Sequence, residues 1–255
     1  MVFEVKGTAE VSALFSGWQE TMIWSCLQGV MGRLYTDSPD HPQAAMAILG
    51  DFCFFAGVPN MELAAYKADW CSQDFIIMTA LSPEWFALIE DVYGKKAKKV
   101  SRFALKKEPD VFDRDRLGCF VETVKKEFTL RLIDRELFAY CREQGWSRDF
   151  VSLYADYDEY ARIGLGVVAL KDGVPVSGAS SYSSYRDGIE IEIDTREDYR
   201  RQGLATACGA KLILECLDRG LYPSWDAQNR WSASLAEKLG YHFEREYTAY
   251  EIRGY

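Results

Sequence analysis

The sequence predicts an α/β protein of the α+β kind, with a mixed central sheet preceded by a mixed α+β region. Three observations carry that prediction. Residues 189–194 alternate strictly, with Ile189, Ile191 and Ile193 on one face and Glu190, Glu192 and Asp194 on the other, the period-2 mark of a strand. Asp172-Gly173 stands between two apolar runs, which is a hairpin signal. Two stretches of helical period, 201–218 and 229–239, stop at Gly220 and Gly240, residues suited to the left-handed turn that ends a helix.

Taken in order, helical periodicity runs over 11–15 and 21–30, and short apolar pieces follow at 44–49, 51–57 and 75–79. Ser82-Pro83-Glu84 opens a helix through residue 92: a serine to cap the free amides, a proline where no amide is needed, and an acid facing the positive helix end. After Gly94, the run Lys95-Lys96-Ala97-Lys98-Lys99 reads as a solvated loop, with a phosphate-binding patch as the other reading. Residues 100–105 suit a strand, 113–125 a helix, 128–133 a strand and 135–144 a helix stopped by Gly145. A boundary here gives regions 1–145 and 146–255, which are expected to pack closely because no Pro/Gly/Ser-rich linker separates them. The sequence shows no internal repeat.

The C-terminal region is the more legible. Tyr154-Ala155-Asp156-Tyr157-Asp158-Glu159-Tyr160 reads either as a helix start with first-turn acids or as an aromatic and acidic grip for a cation. Strands at 166–171, 174–184 and 189–194 form a meander; a helix (201–218), a strand (222–226), a helix (229–239) and a strand (241–252) follow. The order β-β-β-α-β-α-β is an antiparallel meander leading into βαβ crossovers.

Composition excludes several classes. A net charge of −9 argues against non-specific affinity for nucleic acid or anionic membranes and fits a cationic small-molecule substrate. Seven scattered cysteines without a CxxC pair, and only two histidines, argue against a zinc site and for reduced thiols in the cytoplasm. The N-terminus lacks a signal peptide's basic and apolar regions, and the apolar run at 52–59 is far too short to span a bilayer.

The chemistry concentrates at 193–206, where a strand ends, a polar loop turns and a helix begins. The first turn of a helix offers unpaired amides and a positive dipole end. Gly203 lets backbone approach an anion closely, Ala205 keeps the rim low, and Arg200 and Arg201 add charge. A pyrophosphate is the natural guest.

Two motifs in this order resemble the GNAT superfamily of N-acetyltransferases. Arg200-Arg201-Gln202-Gly203-Leu204-Ala205 is similar to the superfamily's cofactor loop, and Asn229-Arg230-Trp231-Ser232, followed by Leu235-Ala236-Glu237-Lys238-Leu239-Gly240-Tyr241, to its downstream segment. In the N-terminal half, Trp24 to Gly32 and Gly50 to Gly57 resemble the branch related to zwittermicin-A-resistance acetyltransferases.

The resemblance implies acetyl-CoA as co-substrate, no metal, and an amine acceptor of small-molecule size, with a protein acceptor and a CoA-binding module without turnover as alternatives. It leaves room for a homo-oligomer. It implies that the amides of Arg201, Gln202, Gly203, Leu204, Ala205 and Thr206 hold the pyrophosphate, beside Arg200. The backbone of Ile193, Asp194 and Thr195 would then flank the pantetheine, near Asn229 and Ser232. A base must take the amine's proton, and Glu192, then Glu190, are the candidates; a merely solvated strand face is the other reading. Where many members carry a tyrosine to serve the departing thiolate, this chain has Ala236, leaving Tyr222, Tyr241 or water. Trp225 and Trp231 are expected in the core or a pocket wall, Cys208 and Cys216 as packing thiols, and His242 as structural.

Overall fold

A computed structural model describes residues 1–255, which divide into two compact units, Met1–Arg102 with Glu246–Tyr255, and Phe103–Arg245. The second unit thus begins at Phe103, not at residue 146. The reason is packing: helix α5 (Arg114–Glu122) sends Leu117 into the second core, and strand β7 (Phe128–Leu132) pairs with β8 (Gly166–Lys171). A cut after residue 145 would strip both from it.

The first unit runs β1 (Phe3–Val5), α1 (Ala9–Leu14), α2 (Thr21–Gln28), β2 (Arg33–Thr36), β3 (Ala44–Leu49), β4 (Phe52–Gly57), α3 (Met61–Ala64), β5 (Phe75–Ala80), α4 (Pro83–Tyr93) and β6 (Ala97–Leu105). Ser82 caps α4 as the sequence predicts, its side chain accepting from the Trp85 amide. The lysine run is not a loop: Gly94–Lys96 form a 3₁₀ turn and the rest opens β6, with Lys98 paired to Glu251 at 3.1 Å. Strands β3 and β4 bury both faces, and Phe55 stacks on Trp85 at 4.7 Å between ring centres.

The second unit continues with α6 (Arg135–Glu143), α7 (Tyr157–Ile163), β8, β9 (Val174–Tyr185), β10 (Gly188–Thr195), α8 (Leu204–Asp218), β11 (Tyr222–Ser224), β12 (Asp226–Ala227) and α9 (Arg230–Leu239); β13 (Phe243–Arg253) starts in it and passes into the first unit at Glu246. Its five-stranded sheet has the order β11-β10-β9-β8-β7. Asp172 and Gly173 both take positive φ, as the tight hairpin between β8 and β9 requires. Ile189, Ile191 and Val167 meet Leu204, Leu212 and Ile213 of α8 in the core.

The two units repeat one plan, which the sequence conceals. From β1 to β6 and again from β7 to β13 the chain reads β-α-α-β-β-β-α-β-α-β, counting β11 and β12 as one broken strand, although β13 from Glu246 onward lies in the first unit. Pairing senses repeat too: β1 with β2 and β7 with β8 are antiparallel, each meander is antiparallel, and β4 with β5 and β10 with β11 are parallel. The copies differ at the parallel pair. In the first unit, β4 and β5 pair over Phe52–Phe55 and Ile77–Ala80, joined through the four-residue α3. In the second, a 15-residue helix intervenes and the pairing is cut short. No helix of the chain is long and apolar enough to cross a membrane.

Candidate active site

The site is a fork in the second unit's sheet. Strand β10 stays paired with β9 as far as Thr195, opposite Ser177, but pairs with β11 only from Gly188 to Glu190, opposite Tyr222 to Ser224. The chain then drives Trp225 into the core, edge-on to Tyr241 at 5.7 Å, and β12 pairs with Ala104 and Phe103 instead. The strand expected over 222–226 is therefore two short strands with different partners. Tyr182 is the extra residue of a bulge in β9, opposite the step from Glu190 to Ile191, and it breaks the β9–β10 register where β10 loses its other neighbour.

The alternation places the acids as foreseen, with one correction. Glu190 is not on a solvated face: it is 5% exposed, while Glu192 and Asp194 are half-buried further along the fork. Burial raises the Asp194 carboxyl above its ordinary value, with Asp149 adding to the shift, against the Thr195 amide and Arg200. Ile193 rests on the core, where Gly209 of α8 lets it approach. A Cβ at Gly209 would meet Leu239 Cδ1 at 2.8 Å and Ile193 Cδ1 at 3.0 Å. We expect Gly209→Ala to keep the fold, since alanine's helix preference of about 1 kcal/mol offsets the crowding. The displaced Ile193 should still weaken acetyl-CoA binding about fivefold, roughly 1 kcal/mol. Calorimetry beside a thermal melt checks this; unchanged affinity would remove Ile193 from the fork lining.

The open end of the fork leads into the anion cradle. Arg196 pairs with Asp198 at 2.7 Å, and Arg200 donates to the Thr195 carbonyl at 3.2 Å, with its guanidinium 3.8 Å from Asp194. Arg201 and Gly203 both adopt left-handed φ, of 60° and 81°, so α8 begins at Leu204 rather than at Arg201. Gly203 is its N-cap and offers no side chain, so the amides of Leu204, Ala205 and Thr206 are not side-chain capped. Arg201, Gln202 and Gly203 are exposed around them. Sequence reasoning missed Lys238: its ammonium lies 3.4 Å from Thr206 Oγ1 and 5.2 Å from the Phe120 ring centre, beside the cradle. Its signal was available, because a helix running back from Asn229 returns its last turn toward α8.

Asn229 has a structural duty. Its Oδ1 accepts from the amides of Trp231 and Ser232, both at 3.0 Å, capping α9. Trp225 is buried as expected, but Trp231 is 80% exposed and belongs to no core or wall, because capping turns the second helical position outward. Ala236 is wholly buried in the core. Neither tyrosine offered in its stead is free: Tyr222 accepts from the Glu108 amide and donates to the Lys106 carbonyl, and Tyr241, fully buried, donates to the Pro223 carbonyl at 2.6 Å. Burial raises both phenols.

The remaining residues resolve simply. Cys208 and Cys216 are buried thiols pushed up to about 12 by desolvation, suited to packing and not to attack. His242 pairs with Glu108 at 2.6 Å on the surface. Asp156 caps α7 with Asp158 and Glu159 in the first turn, and the hydroxyls of Tyr154 and Tyr160 are bound to Ser181 and Ser180, so this segment is a helix start.

Comparison with known proteins follows the same line. The family profile described as GNAT acetyltransferase matches residues 12–250. An uncharacterized N-acetyltransferase of Bacillus subtilis, YdfB, is 27% identical over 248 residues, covering 90% of this chain and 89% of that protein. The crystal structure of a GCN5-related N-acetyltransferase-like protein from Streptococcus suis has a TM-score of 0.90 at 48% identity, covering 95% of this chain and 97% of that one. A tandem GNAT protein from the clavulanic acid biosynthesis pathway shares the fold with a TM-score of 0.57 at 10% identity, over 100% of this chain and 98% of its own.

Proposed function

Since this chain belongs to the GNAT acetyltransferase family of acetyl-CoA-dependent acyltransferases, we propose that it carries acetyl from acetyl-CoA to the amine of a small molecule in the cytoplasm. The observation that carries this reading is the fork whose open end meets an uncapped helix N-terminus. A diphosphate fits the cradle because a Cβ at Gly203 would meet nothing within 4 Å, so the rim is open to a bulky anion. An extended arm fits the fork because the inner edge of β10 over Ile193, Asp194 and Thr195 lies beyond its pairing with β11.

In this reading the amides of Arg201 to Thr206 hold the diphosphate, with Arg200, Arg201 and Lys238 balancing its charge. Asn229 fixes the start of α9 and Ser232 stands on its first turn. Glu192, half-buried and past the last paired step, receives the proton of the attacking amine. Buried Glu190 stands behind it as the second choice. The half-buried acids Glu192 and Asp194 favour a cationic acceptor.

A second reading, a CoA-binding module with little turnover, is favoured by one observation: position 236 carries no phenol, and Tyr222 and Tyr241 are tied elsewhere. A panel of small amines, with acetyl-CoA and a thiol-release assay, separates the two. We expect at least one polyamine or amino-sugar to release thiol far above the hydrolysis background. Tight acetyl-CoA binding with no release from any small amine, but release with a peptide or protein, would move the acceptor to macromolecules. No release at all would leave the binding module.

A further inference from the structure

We infer that the Ser224 hydroxyl donates a hydrogen bond to the sulfur that leaves the thioester, the service for which this chain has no tyrosine at position 236. The inference rests on the reading of the fork as the acetyl-CoA slot. Ser224 is 1% exposed, and its Oγ has no hydrogen-bond partner within the protein. A buried hydroxyl in that state opposes folding, so its retention calls for a ligand or a cost accepted for function.

Its position supplies the ligand. Ser224 is the last residue of β11 that pairs with β10, directly opposite Glu190, and Trp225 next to it turns into the core. The hydroxyl therefore stands at the closed end of the fork. In a parallel pair, residues directly opposite each other point to the same face, so Ser224 shares the face of Glu190 and not that of Ile189. From Thr195 back to Glu190 the strand spans about 17 Å at 3.3 Å per residue. An arm anchored by its phosphates at α8 and laid along β10 brings its thiol end to this closed end. The two tyrosines offered in place of position 236 are unavailable, since Tyr241 is committed to the Pro223 carbonyl and Tyr222 to the Lys106 carbonyl and the Glu108 amide.

The chemistry balances without a proton leaving Ser224. The amine's lone pair attacks the thioester carbonyl carbon, the C–S bond breaks, and its electron pair goes to sulfur. The amine's proton passes to the Glu192 carboxylate and on to solvent, and the thiolate takes up a proton from solvent as CoA is released. Serine is a far weaker acid than a thiol, so its hydroxyl stabilises the thiolate as a donor and keeps its own hydrogen.

The test needs no acceptor. CoA and desulfo-CoA are titrated calorimetrically into the wild-type protein and Ser224→Ala, at a pH where the bound thiol is ionised. We expect the wild type to prefer CoA over desulfo-CoA about tenfold, the size of one hydrogen bond to a charged group. Ser224→Ala should erase that preference while binding desulfo-CoA as before. It should also raise the apparent pKa of the bound thiol, followed by thiolate absorbance, by about one unit. The same variant should melt about 2–4 °C higher, because an unpartnered buried hydroxyl has been removed. A serine serving the fold would do the reverse. An equal CoA preference in both proteins, or a lower melting temperature with the preference kept, would overturn the assignment of Ser224 and leave the slot standing. Failure of both ligands to bind the wild type would overturn the slot itself, and Ser224 with it.

Discussion

Gly203→Asp should weaken acetyl-CoA binding about 100-fold or more while the protein stays folded, since one carboxylate near 4 Å from a phosphate charge opposes it by about 4 kcal/mol at a surface-like dielectric. The position separates charge from fit. A Cβ there would meet nothing within 4 Å, so no steric clash enters. The left-handed φ of 81° costs a non-glycine residue about 1 kcal/mol, a cost that Gly203→Ala shares. Aspartate at the head of α8 also favours the helix dipole, which holds the fold up as the site fails. Calorimetry on the three proteins therefore has a clear expectation: a few-fold loss for alanine and near-complete loss for aspartate. Equal losses in the two variants would mean that backbone geometry matters and the diphosphate lies elsewhere. Retained binding in Gly203→Asp would remove the cradle from the reading.

Glu192→Gln should lower turnover by about 100- to 10,000-fold, the range a positioned general base supplies, with acetyl-CoA affinity unchanged. Glutamine keeps the shape and loses the proton acceptor. The pH profile of the residual activity should lose its acid limb, which a merely structural carboxylate would not control. Glu190 provides the internal contrast. It is buried at the last step where β10 and β11 pair, so Glu190→Gln should act through the position of its neighbours and preserve the acid limb. If Glu190→Gln removes the limb and Glu192→Gln does not, the two carboxylates exchange roles.

What the sequence made legible is local. Ser82, Asn229, Asp156 and Gly240 each announce a helix end through their own side chain or its absence, and each stands at that end. The Ile/Glu alternation predicted β10 and its core face because a strand's period is written in consecutive residues. The fork was implied only by the family resemblance and not by the local pattern, because it depends on Asp226 and Ala227 turning away to pair with Ala104 and Phe103, far away in the chain. The burial of Glu190 escaped for the same reason: alternation tells the faces apart but not what covers the second one. The repeated plan escaped because its two parallel pairs are bridged so differently, by a four-residue helix in one copy and by 15 residues in the other.

The path of the chain through the two units sets the order in which they can mature during synthesis. Residues 246–255 belong to the first unit, where β13 lies beside β5 with Tyr250 opposite Met78 and Ile252 opposite Ile76. Those residues leave the ribosome after all of 103–245 have been made, so the second unit is complete in sequence while the first still lacks a central strand. Until then the first unit holds an open seam at β5, rich in apolar side chains and unsatisfied backbone groups. The unit with the cofactor slot can mature first, and the closing strand arrives last to seal its twin. A chain released after residue 245 should therefore resist protease over 103–245 and remain sensitive over 1–102.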